Sequence, residues 1–214
     1  EKKIKDALPS TGTEIPTSFP EFEKGAAEIT YPLTDKNFEK GKFGRGLWGA
    51  HYRDAYKESI TVPSIDLSKF RGGMTPVKRG GGYQTNSLRI IDPDGQQFVM
   101  RSLDKDESRI VPYPFNESFV VDIFKDNFSA AHPMAAITLA DMADAAGVYH
   151  TNPRIVYLAK QPALGACNDL FGGGLYLLEE RPAKDWSSLA SFGNSKKIIS
   201  TYDVLENLTK NHRH

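Results

Sequence analysis

TPVKRGGGYQTNSLRIIDPDGQQFVMRSLDK, residues 75–105, reads as strand, glycine turn, strand, tight turn and strand. Leu88 and Ile90 alternate with Ser87 and Arg89, and the Asp92-Pro93-Asp94-Gly95 run is strong turn chemistry, so the second and third strands form an antiparallel hairpin. On the third strand, period-two geometry sets Val99, Arg101, Leu103 and Lys105 on one face, with Phe98 and Met100 on the other. Gly80, Gly81 and Gly82 follow Lys78 and Arg79 directly. A bare backbone beside two cations allows the close approach of an anion that side chains would otherwise exclude. The same residues also fit a flexible hairpin, and both readings stay open at this point.

Outward from this stretch, the C-terminal side turns helical and then returns to strands. Apolar Val120, Val121, Ile123 and Phe124 mark a helix within residues 116–146, and Pro133 and Gly147 bracket a second one with the expected asymmetry. RIVYLA (154–159) and GLYLLE (174–179) are two further apolar strands, followed by a short helix over 198–210 with Ser200 or Thr201 as its cap. On the N-terminal side, residues 60–67 contain Pro63 and make at best an edge strand. GRGLWGAHYRDAYK (44–57) spaces Trp48, Tyr52 and Tyr56 for one helical face, suited to docking on the main domain or to stacking on a base or a peptide. Residues 1–42 carry Pro9, Pro16, Pro20 and Pro32 without an apolar period, as an extended arm does. The expected architecture is α+β: a five-stranded, mainly antiparallel sheet with one or two packed helices over residues 43–214, preceded by that arm.

Composition narrows the function classes. The 214 residues are 39% hydrophobic and 11% aromatic, ordinary globular usage, and 27 cationic side chains balance 27 anionic ones. A chain with no net charge is not built to bind nucleic acid by bulk electrostatics, so any anion site must be local. No apolar run is long enough to span a bilayer. The single cysteine, Cys167, has no basic neighbour in sequence to activate it and reads as a structural thiol. His51, His132 and His150 stand apart, outside any metal-ligand spacing, and His212 and His214 lack a third ligand, so no metal site is expected. No nucleophile elbow is present and no residue is assigned a catalytic role. The chain starts without Met or a signal-like segment, which we read as a processed chain or an excised fragment.

The order of elements resembles the small lobe of a protein-kinase-like fold. That resemblance implies a phosphate cover at Gly80, Gly81 and Gly82, with Lys78 and Arg79 beside it, and a third-strand cation at Arg101. It further implies a base contact at Val99 and a hinge at Leu178, Glu179, Glu180 and Arg181. Asp104, Lys105 and Asp106 read as a solvated charge run, or Lys105 as a second phosphate contact. Asp122, Asp126 and Asp141 are the possible carboxylate partners of Arg101. KRGGGYQT differs from GxGxxG, and arginine stands where such lobes carry lysine. ATP with magnesium would then bind only together with a missing C-terminal half that holds the catalytic acids.

A second resemblance covers residues 42–214. LWGAHYRDAY, GGMTPVKRGGGYQTNSLRI, FVMRSLDKD, SAAHPMAAITLADMADAAGVYHTNPRIVYL and LLEERP resemble the central region of large Bacteroidota cell-envelope proteins. In those proteins a calcineurin-like metallophosphoesterase domain precedes this region and a surface-antigen outer-membrane barrel follows it. The resemblance implies a periplasmic or outer-membrane-associated setting and a chain that continues past His214. It also implies that the partners are the barrel or neighbouring domains of the same parent.

Overall fold

The computed structural model describes residues 26–36, 38–80, 85–105, 113, 115 and 119–210. The protein is α+β, and its five-stranded antiparallel sheet is the expected one. Two strands form a separate antiparallel pair, β1 (Glu28–Pro32) and β2 (Ser59–Pro63). The main sheet contains β3 (Thr75–Gly80), β4 (Thr85–Ile91), β5 (Gln97–Lys105), β6 (Arg154–Leu158) and β7 (Gly174–Glu180), in the order β3-β4-β5-β7-β6. The helices are α1 (Lys42–Trp48), α2 (Phe119–Phe128), α3 (Ala135–Ala146), the single turn α4 (Asn168–Phe171) and α5 (Thr201–Lys210). β1 lies inside the stretch read as an extended arm.

Alternation along the strands separates two cores. Leu88, Ile90, Phe98, Met100, Val156, Leu158, Tyr176 and Leu178 fill one face of the sheet. Loops bring Leu67, Phe70, Leu164, Phe171, Trp186 and Phe192 onto them. Each such side chain contributes about 1.5–3 kcal/mol relative to exposure. On the opposite face, Leu33 and Val62 from the β1–β2 side cover Ile155 and Leu175, with Leu103, Leu177 and Ile137 packed around them. This second core occupies only part of that face. The remainder carries Ser87, Arg89, Val99 and Arg101, and here the sheet opens into a cleft.

Turn chemistry accounts for the joints. Gly95 adopts φ 84°, its amide bonds to Asp92 O at 3.0 Å, and the Gln96 amide bonds to Asp92 Oδ1 at 2.8 Å. Gly147, at φ 66°, ends α3 with its amide on Asp144 O. Ser200 and Asp203 form a reciprocal cap for α5: the Asp203 amide donates to Ser200 Oγ and the Ser200 amide to Asp203 Oδ2. The helix expected over residues 44–57 stops at Trp48, because Gly49 turns to φ 90° and His51 to φ 49°. Trp48 and Tyr52 are consequently about half exposed, and Tyr56 reaches back to donate to Phe128 O and Ala131 O.

One buried ion pair fixes this N-terminal segment. Arg53 is fully buried, with Nη1 and Nη2 on the two oxygens of Asp126 at 2.5 and 2.9 Å and further bonds to Phe38 O and Gly49 O. The Arg53 hydrogen bond and charge outweigh burial and hold the Asp126 carboxyl below its usual range.

Candidate functional site

The sheet register assembles the cleft in two rungs. Gly80, Ser87, Arg101 and Leu177 form one, and Lys78, Arg89, Val99 and Glu179 the next. Directly paired residues share a face, so three strands deliver cations and a fourth a carboxylate to one surface. The cleft encloses about 430 Å³, and Thr85, Thr151, Glu180, Arg181 and Pro182 complete its walls. Gly80 lies in close contact with its neighbour: a Cβ there would come within 2.8 Å of Ser87 Oγ. The strand requires glycine at this point for space rather than for an unusual φ.

Charge in the cleft is unevenly compensated. Arg101 donates from Nε to Glu179 Oε1 at 2.7 Å, with half of its side chain exposed. Arg181 is satisfied by a neutral partner, Gln97 Oε1, at 2.6 Å. The Arg89 guanidinium forms no hydrogen bond or ion pair among the described residues. Burial, and then the like charge of Arg89, hold the Arg181 guanidinium below its ordinary pKa, although arginine stays protonated. Neither Arg89 nor Arg181 has a carboxylate partner among the described residues, and an anion between them would relieve their mutual repulsion.

Thr151 lines the far wall of the cleft, and the segment His150-Thr151-Asn152 holds it there through a polar clamp. Thr151 Oγ1 donates to Glu179 Oε2 at 3.2 Å. The backbone and side-chain amides of Asn152 donate to the two oxygens of Glu180 at 2.8 and 3.1 Å. Glu180 is buried, and that burial raises its pKa against the Asn152 bonds. His150 places one ring nitrogen 2.9 Å from Asp144 Oδ1 and the other 2.8 Å from Thr151 O.

The residues singled out from sequence divide between several places. Gly80, Val99, Arg101, Glu179, Glu180 and Arg181 meet at the cleft. Lys78 and Arg79 are exposed on β3; Lys78 pairs in register with Arg89, and Arg79 with Leu88 on the other side. Gly81 and Gly82 lie outside the described residues, as do His212 and His214. Leu178, grouped with the hinge, is fully buried in the opposite core, because period two turns it away from Glu179. Lys105 is four residues beyond Arg101, about 13 Å along the strand. It sits over the Phe128 ring, 5.0 Å from the ring centroid, with burial lowering its pKa, and so cannot share a ligand phosphate with Arg101.

The carboxylate partner of Arg101 also differs from expectation. Asp126 is engaged by Arg53, Asp122 and Asp141 are exposed, and Glu179 on the adjacent strand takes the role. Arg89, Thr151 and Asn152 escaped the sequence reading. The alternation that set Leu88 and Ile90 in the core already turned Arg89 to the cation face, so its signal was present. Nothing local marks Asn152 as a ligand of Glu180, 28 residues away. Cys167 is half-buried against the main core. Among the described residues no cluster of three or more His, Cys, Asp or Glu could hold a metal, and no helix is long and apolar enough to cross a membrane.

No family model matches the chain, and no curated protein and no solved structure matches it.

Proposed function

We propose that this chain is a binding module that takes a phosphate-type anion in the cleft, as an accessory part of a larger periplasmic or outer-membrane-associated envelope protein, without catalysing a reaction by itself. The observation that carries the binding reading is the Arg89–Arg181 pair, two guanidinium groups lining one cleft with no carboxylate partner among the described residues. Arg101 and Gly80 border the same space, one adding a half-exposed cation and the other a surface without a side chain. Recognition by arginine forks suits the tetrahedral oxygens of a phosphate. The envelope setting rests on the sequence resemblance alone.

A second reading, half of an ATP–magnesium site in a kinase-like phosphotransferase, is favoured by one observation: the cleft lies between the end of β3 and the residues following β7. Against it, Arg101 is held by a strand carboxylate rather than by a helix. A third role, protein docking without any ligand, leaves the two arginines unexplained.

Thermal denaturation with inorganic phosphate, and separately with ATP and magnesium, tests the proposal. A ligand that binds only the folded state adds about 2.7 kcal/mol of apparent stability at a hundred times its Kd. We expect phosphate to raise the melting temperature and the Arg89→Gln/Arg181→Gln variant to lose the rise. No rise at millimolar phosphate or ATP would overturn it. A response to ATP with magnesium but not to phosphate would favour the second reading.

A further inference from the structure

We infer that the ligand of this cleft is a phosphate monoester of an aromatic alcohol, with its phosphate at Arg89 and Arg181 and its ring in an adjoining apolar cavity. This rests on the anion reading above and extends it to the organic part of the ligand. A second cavity, of about 550 Å³, meets the cationic cleft at Thr151 and Pro182, which line both. Its remaining walls include Tyr149, Phe192, Ile198 and Ile199, so polarity changes from one end of the combined groove to the other.

The aromatic wall is held in place although it faces solvent. Tyr149 is 73% exposed, yet the hydroxyl end of its ring lies so close to Gly193 that a Cβ there would come within 2.5 Å of the ring carbon Cζ. Gly193 itself has φ 63°, a conformation glycine adopts without strain. The neighbouring backbone is anchored as well: the His150 amide bonds to Ser191 O at 3.0 Å, and the His150 imidazole bridges Asp144 and Thr151. A fixed, exposed aromatic ring beside Ile199, which is 42% exposed, is a preorganised surface for a planar apolar group.

The two halves together set the ligand chemistry. Two guanidinium groups without a carboxylate partner among the described residues suit a dianionic head, which phosphate monoesters carry and carboxylates do not. The apolar end offers Tyr149 and Ile199 to the organic part of the ligand, a surface that a free phosphate would leave uncovered.

Calorimetric titration of the full 214-residue chain with inorganic phosphate, phenyl phosphate and phenol tests this. We expect phenyl phosphate to bind about tenfold or more tightly than phosphate, the gain that burial of one ring supplies. Tyr149→Ala and Ile199→Ser, both at exposed positions, should remove that gain and leave phosphate affinity unchanged. Equal affinity for phosphate and phenyl phosphate would overturn the inference and leave the anion reading standing. A tenfold gain that persists in both variants would overturn it too, since the ring would then lie elsewhere. Failure of both anions to bind would sink the anion reading, and this inference with it.

Discussion

At the scale of single residues, His150 shows how a side chain that sequence treats as ordinary becomes a titrating joint. Both ring nitrogens face acceptors, Asp144 Oδ1 and Thr151 O, so only the doubly protonated imidazolium satisfies both bonds. Burial opposes that charge, but the Asp144 and Thr151 bonds, aided by the nearby Glu180 carboxyl, outweigh it and raise the pKa above 6.5. A raised folded pKa contributes stability that is complete below the unfolded value and is lost as pH climbs through the folded one. Melting temperature should therefore fall as pH rises from about 6.5, the unperturbed histidine value. His150→Gln should cost about 1 kcal/mol on the acid side of that window and flatten the profile. Circular-dichroism melts across the pH series check this, and an unchanged slope in the variant would assign the titration to another group.

At the scale of elements, the β3–β4 ladder depends on a missing side chain. Gly80→Ala would press a methyl group within 2.8 Å of Ser87 Oγ, and overpacking of this kind costs about 1–3 kcal/mol. Denaturant unfolding should show that loss, and Ser87→Gly added to Gly80→Ala should restore most of it. If the second substitution restores nothing, the contact is not the cause. The elements themselves were largely legible, for reasons visible residue by residue. Alternation of Leu88 and Ile90 with Ser87 and Arg89 fixed the face of β4, and Gly147 marked the end of α3. Helix α1 ends at Gly49, whose φ of 90° closes it, so the aromatic spacing of Trp48, Tyr52 and Tyr56 runs past a glycine stop and on through a left-handed His51, which carries no such signature. The cleft was half legible: period two placed Val99 and Arg101 together, but the allotment of Glu179 to Arg101 and of Asp126 to Arg53 spans 78 and 73 positions. Pairing at that separation is decided by packing, which no local pattern encodes.

At the scale of the whole molecule, the Arg53–Asp126 pair ties residues 38–57 to α2. Removing one partner from a buried pair costs about 3–5 kcal/mol, because the other charge stays buried without compensation. Arg53→Met should lose that much by chemical denaturation, and Arg53→Met with Asp126→Leu should recover a large part of it. A loss below about 1 kcal/mol for Arg53→Met, the range of exposed pairs, would show that the segment docks by its aromatic contacts instead.

The two outer edges of the main sheet are treated differently. On β6, Ser64 bridges to Tyr157 and the Ile65 amide bonds to Tyr157 O at 2.9 Å, which occupies part of that edge. On β3 the outer edge has no strand beside it among the described residues. It carries Pro76, a register shift between Pro76 and Lys78, and the exposed cations Lys78 and Arg79. Proline removes a donor, the bulge bends the strand, and two like charges repel an identical edge. The colloidal consequence is that neighbouring copies are kept from zipping into ribbons along β3. The lysine and arginine that introduce the glycine turn therefore disfavour pairing of one β3 edge with another, whatever binds in the cleft behind them.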